Sequence, residues 1–139
     1  MSAMLAYLLD SNKDHGLGEA FIRAFLLAVD EDVFKKFLAA DFIKSQTELE
    51  VQYLLNGSRK DIDIEILLLA KGGDDYKVII ENKIKIGAAN PKQLRDYYNA
   101  ILQDDPHIKH LYIVFLTPES SSAALKSRIW KFKGFRYSS

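Results

Sequence analysis

Along the first forty residues apolar positions recur with helical spacing, and after that they alternate. Met4-Leu5-Ala6-Tyr7-Leu8-Leu9 is a short apolar helical stretch that runs into the polar loop Asp10-Ser11-Asn12-Lys13-Asp14. His15-Gly16-Leu17-Gly18 then breaks regular structure, and a second helix is expected from near Glu19 with Ala20, Phe21, Ala24, Phe25 and Ala28 on one buried face. A third helical piece, Glu31 to Leu38, turns Val33, Phe34, Phe37 and Leu38 inward. From Thr47 the period falls from 3.6 to 2. Leu49, Val51, Tyr53 and Leu55 alternate with mostly polar residues, which predicts a strand, and Asn56-Gly57 is a strong hairpin signal. The next strand, Lys60 to Leu68, must then run antiparallel, with Ile62, Ile64, Ile66 and Leu68 on one face and Asp61, Asp63 and Glu65 on the other. Lys71-Gly72-Gly73-Asp74-Asp75 makes a second turn, and Tyr76 to Ile86 completes a three-strand meander.

Asn90-Pro91 reads as an N-cap with proline at the first helical position, and Leu94, Tyr97, Tyr98 and Ile101 give the helix behind it an apolar face. Asp104-Asp105-Pro106 ends that helix. His110 to Leu116 is the most continuously apolar strand, as suits one buried on both faces, and the strand, helix, strand order makes it parallel to the meander. Beyond Thr117-Pro118 and a serine-rich loop, Ala123 to Ser139 interleaves Lys126, Arg128, Lys131, Lys133 and Arg136 with Trp130, Phe132, Phe135 and Tyr137, without one acid. Such a mixture suits phosphate contact and base stacking, or equally an amphipathic terminal segment with its aromatics in the core. The whole describes one domain over residues 1–139, and the abrupt Tyr137-Ser138-Ser139 ending leaves room for a further element beyond it.

Composition narrows the function by exclusion. With 139 residues, 48% hydrophobic and 27% charged, the chain suits one ordinary globular core. Nineteen basic and nineteen acidic residues leave no net field to attract nucleic acid, so any phosphate contact is local. Cysteine is absent, which removes disulfides and thiolate metal sites, and neither a signal peptide nor a membrane-length apolar run appears. A cytoplasmic protein without membrane contact is expected. His15, His107 and His110 lie in unlike settings and make a poor zinc site, while phosphate-loop and nucleophile-elbow motifs are missing.

The polar break in Val78-Ile79-Ile80-Glu81-Asn82-Lys83-Ile84 carries the candidate chemistry. Strand geometry places Glu81 and Lys83 on one face. The plain reading is a solvated same-strand ion pair; the sharper one needs a second carboxylate from the neighbouring strand. Opposed residues of an antiparallel pair share a face, and even positions are apolar in both strands, so burying them together pairs odd with odd. That brings Asp63 within reach of Glu81 and Lys83, provided the glycine turn has an odd length or a bulge. Glu19 and Gln93 have structural readings of their own. A first-turn carboxylate answers the helix dipole, and Gln93 can close a capping box on Asn90.

Asp63, then Glu81-Asn82-Lys83 eighteen positions on, within a helix, three-strand meander, helix, strand order, resembles the PD-(D/E)XK nuclease superfamily. His15-Gly16-Leu17-Gly18-Glu19 with Phe21 and Phe25 is similar to the entry of the first helix in a bacterial branch of that superfamily, and Gln93-Leu94 with Tyr97 to its later helix. No proline precedes Asp63, a departure from the pattern that gives the superfamily its name. The resemblance implies a restriction-endonuclease-like α/β fold with an αβββαβ core. It also implies a nuclease acting on nucleic acid, DNA above RNA, with Mg²⁺ or Mn²⁺ as cofactor and a homodimer among its allowed states. Asp63, Glu81 and the main-chain carbonyl of Asn82 would hold the ion, and Lys83 would orient the attacking water. Glu19, or Glu50 in competition with it, would complete the shell, and Gln93 would contact substrate. Asp61 is the alternative to Asp63. The rival function is a binding module that keeps the fold and has lost catalysis.

Overall fold

The computed structural model describes residues 2–82, 91–118 and 125–133, with side chains for 3–81 and 95–114. Three helices come first: α1 (Ser2–Leu9), α2 (Ala20–Val29) and α3 (Glu31–Ala40). The strands β1 (Phe42–Leu55), β2 (Ser58–Ala70) and β3 (Tyr76–Asn82) follow, then α4 (Pro91–Asp104), β4 (His110–Pro118) and β5 (Leu125–Lys133). The five strands lie side by side in chain order. Every neighbouring pair is antiparallel except β3 and β4, which are parallel across the α4 crossover. This is the expected mixed α/β architecture, extended by β5, which pairs along the whole of β4.

Local chemistry explains the breaks. Asp30 ends α2 and caps α3, its carboxylate accepting the Val33 N–H at 3.3 Å. Asn56 (φ 51°) and Gly57 (φ 82°) make the two-residue turn joining β1 to β2, with both residues in the left-handed region that such a turn requires. The β2–β3 loop, Lys71 to Asp75, has five residues. Gly73 (φ 82°) donates to Ala70 O at 3.1 Å, while Asp75 accepts the Ala70 N–H at 2.9 Å. This odd-length turn sets the register in which Ile64 faces Ile80 and Ile66 faces Val78.

Two apolar layers cover the sheet. On one face Ile64, Ile66, Leu68, Val78, Ile80, Tyr112 and Val114 pack against α1, α2 and α3. On the other, Ile79, Leu111 and Ile113 pack with Tyr97, Tyr98, Ala100 and Ile101 of α4. The buried stripe of α2 differs from the periodic reading: Ile22, Leu26 and Val29 are buried, Phe21 and Phe25 are half-buried, and Ala20, Ala24 and Ala28 are exposed. A helix of nine apolar residues in ten offers several faces, and the sheet takes the one that buries branched side chains in place of alanines. Phe34 anchors α3, with ring centres 5.5 Å from Tyr76 and 5.2 Å from Tyr112.

The β1–β2 hairpin departs more deeply from simple alternation. Ile62 is buried in the α4 layer, whereas Ile64, two residues on, is buried in the opposite one. Val51, Tyr53 and Leu55 follow Ile62, while Leu49 lies beside α1 residues and is 44% exposed. The hairpin therefore turns its faces over between Leu49↔Ile64 and Val51↔Ile62. Glu50 takes the left-handed backbone (φ 54°) at that point, a conformation that costs a side-chain-bearing residue about 1–2 kcal/mol. Glu50→Gly is accordingly expected to raise the unfolding free energy by up to about 1 kcal/mol, and Glu50→Val to lower it by about 1–2 kcal/mol. Urea unfolding midpoints measure both; equal midpoints for the two variants contradict the assignment.

Candidate active site

The β2–β3 ladder runs from Leu68↔Tyr76 to Ile64↔Ile80, and the next positions in that register are Asp63 and Glu81. Past them, among the described residues, β2 pairs with β1 alone, so the acidic pair sits at the end of the described β2–β3 ladder. The Asp63 main-chain N–H donates to Glu81 Oε1 at 3.1 Å. Glu81 is 4% exposed and Asp63 half-buried. A charge so deeply placed needs hydrogen bonds or a cation beside it, because desolvation penalises it.

Other acidic candidates on β2 are committed elsewhere. Asp61 is exposed and pairs with Arg59 at 2.7 Å. Glu65 accepts the Tyr53 hydroxyl and lies 3.8 Å from Lys77 Nζ. Lys77, 6% exposed, donates to Tyr53 Oη at 3.1 Å and reaches Asp105 at 3.9 Å. Centred on the buried Lys77, this group of Tyr53, Glu65 and the partly exposed Asp105 ties β1, β2, β3 and the end of α4 together. Residue-by-residue reading overlooked it. Lys77 and Glu65 share odd parity with Glu81 and Asp63, so the face argument contained the signal.

Glu19 stands at the N-cap of α2, makes no capping bond, and binds Arg23 through Oε1 at 3.0 and 3.2 Å. Glu50 is exposed at the hairpin reversal. Lys83 and the side chains of Asn82 and Gln93, with the Asn90 cap, lie outside the described residues. The histidines stay apart: His15 joins the Asp10–Leu17 loop, and His110 stacks on Tyr76 with ring centres 4.2 Å apart. Among the described residues no three His, Asp or Glu side chains form a metal-sized group. Mg²⁺ does not demand one, since it is commonly held through one or two carboxylates with waters completing its shell, and two hard oxygen donors fit it.

A model of the PD-(D/E)XK nuclease superfamily matches residues 1–137. The chain belongs to that superfamily. No curated protein and no solved structure matches it. Superfamily membership brings nuclease activity and a nucleic-acid substrate as general attributes, and no helix among the described residues is long and apolar enough to cross a membrane. In this PD-(D/E)XK nuclease the odd-length β2–β3 turn, the parity of the apolar positions and the hairpin reversal converge on the Asp63–Glu81 rung.

Two buried phenols, one in each apolar layer, hold their protons tightly. Burial holds the Tyr53 hydroxyl well above the usual tyrosine range, and its bond to Glu65 adds to that. Tyr112 is raised by burial, then by the charge of Asp30, to which it donates at 3.4 Å. The folded protein thus keeps protons that the unfolded chain releases near pH 10. Stability from these groups is intact below pH 10 and is lost as pH rises beyond it, at up to about 1.4 kcal/mol per pH unit for each phenol. Urea midpoints measured against pH should therefore fall above about pH 10, with a shallower fall in Tyr112→Phe. An unchanged slope in that variant contradicts the linkage.

Proposed function

We propose that this protein is a metal-dependent nuclease that hydrolyses phosphodiester bonds in DNA. The observation that carries the reading is the Asp63 N–H bond to the buried Glu81 carboxylate, because it sets two carboxyl-bearing residues side by side at the end of the described β2–β3 ladder. Asp63, Glu81 and the Asn82 main-chain carbonyl would hold Mg²⁺, or Mn²⁺ in its place. The ion would supply Lewis acidity toward a phosphoryl oxygen and toward water.

The protein's own groups do the rest. Glu81, fixed by a main-chain donor and enclosed by packed strands, keeps its orientation without reorganising as charge develops. Lys83 orients the attacking water and offsets the negative charge gathering on phosphorus oxygens. Gln93, near the start of α4, contacts the substrate. Glu19, already engaged by Arg23, acts at the margin through water. The β5 strand carries Lys126, Arg128, Lys131 and Lys133 next to β4, a local supply of positive charge for a chain with none overall.

Purified protein is expected to cleave plasmid and single-stranded DNA with Mg²⁺ or Mn²⁺ and to stop when EDTA is added. Asp63→Ala and Lys83→Ala should each lower kcat by at least about 10²-fold while keeping the wild-type circular dichroism spectrum. Cleavage that persists in EDTA or in folded Asp63→Ala overturns the assignment. Faster cleavage of matched RNA moves the substrate while leaving the mechanism, and a folded wild type that cleaves neither DNA nor RNA supports a binding module instead.

A further inference from the structure

The loop between α1 and α2 is bound up by its own side chains. Tyr7, on α1, donates its hydroxyl to Asp14 at 2.7 Å, and Asp10 Oδ1 accepts the Asn12 N–H at 3.0 Å. His15 uses both ring nitrogens: Nδ1 accepts the Leu17 N–H at 3.0 Å, and Nε2 lies 2.9 Å from the Asp10 carbonyl oxygen. One protonation state satisfies both contacts. A nitrogen that accepts an N–H carries no proton, and one that faces a carbonyl must donate, so the ring is neutral with its proton on Nε2. Leu17 passes this constraint on. Its carbonyl accepts the Ala20 N–H at 3.0 Å, closing a four-residue turn over Gly18 and Glu19. Gly18 (φ 56°) and Glu19 (φ -88°, ψ -2°) fit a turn whose first corner needs a positive φ, which glycine supplies.

We propose that His15 is a positioning residue for Glu19: its neutral ring latches the turn that presents that carboxylate. This role presupposes the reading above, in which Glu19 acts at the metal site through water. Glu19 makes no capping bond and meets Arg23 through Oε1. Its backbone is held instead from Leu17, by Ala20 on the carbonyl side and by His15 on the amide side. Removing the His15 ring frees the Leu17 amide and leaves α2 seated, because Ile22, Leu26 and Val29 bury that helix independently. Protonation does the same without a mutation. An imidazolium turns an N–H at Nδ1 toward the Leu17 N–H, so two donors face each other where one bond was. On α1, Tyr7 meets the ring edge-on with centres 5.3 Å apart. Asp10, Lys13 and Asp14 are the charges of the loop itself, and Glu19 and Arg23 at the start of α2 bind each other.

Nuclear magnetic resonance reads the latch with no substrate present. At about pH 8 the ring nitrogen signals of His15 should place the proton on Nε2, and Leu17 amide-exchange protection should fall at least about tenfold on going to about pH 5. Asparagine accepts the N–H two residues on and does not titrate. His15→Asn should therefore keep that protection at both pH values, and His15→Ala should lack it. In Mg²⁺-dependent DNA cleavage at about pH 8, His15→Ala should lower kcat about tenfold with an unchanged circular dichroism spectrum, and His15→Asn should recover most of the loss. The ratio of wild-type to His15→Asn activity should fall toward about pH 5. In a Glu19→Gln background, His15→Ala should cost nothing further. A proton on Nδ1, or Leu17 protection indifferent to pH, overturns the latch and leaves the nuclease reading intact. A full loss from His15→Ala in the Glu19→Gln background overturns the positioning of Glu19. A protein that cleaves neither DNA nor RNA overturns the nuclease reading and the positioning role with it, while the ring signals still report the latch.

Discussion

The structure depends on the register between β2 and β3. A five-residue turn closed by Gly73 and Asp75 sets Ile64 against Ile80, which buries Ile64, Ile66, Leu68, Val78 and Ile80 under α1 to α3. The same setting places Asp63 beside Glu81. Slipping by one residue would exchange the two faces of a strand, exposing isoleucines and burying carboxylates in their place. The cost of that exchange, at about 25 cal/mol per Å² of apolar surface, makes the acidic rung a by-product of hydrophobic burial. Nothing else has to be spent on bringing the two residues together.

The hairpin reversal lies next to the rung in sequence. Because β1 and β2 turn over at Glu50 and Asp63, the hairpin continues beneath the α4 layer with Val51, Tyr53, Leu55 and Ile62. Tyr53, carried around by that turn, joins Glu65, Lys77 and Asp105 in a polar group around the buried ammonium, with Glu65 two positions along β2 from Asp63. A buried ammonium with several oxygen partners is rigid, since leaving any partner unmatched is costly.

Much of this was legible from residue order. Asn56-Gly57 announced a two-residue turn, alternation gave the meander, and parity asked for an odd-length loop or a bulge that brings Asp63 within reach of Glu81. Three features were hidden, for physical reasons. Alternation cannot report the sign of a φ angle, so the reversal at Glu50, with Ile62 and Val51 crossing to the α4 layer, left no periodic trace. A helix apolar nearly all round carries no unique face, so α2 was read with its alanines inward. The residues from Phe42 to Gln46 hold too little alternation to announce a strand, and they form one because β2 extends to Ala70 beside them.

The central claim is that Asp63 and Glu81 together make one divalent-cation site. Isothermal titration of the metal-free protein with Mn²⁺ tests it without reference to any substrate. The account predicts a one-to-one binding event in the wild type, weakened at least about tenfold in Asp63→Asn and again in Glu81→Gln, with both variants folded. Wild-type binding left unchanged by either substitution would contradict it.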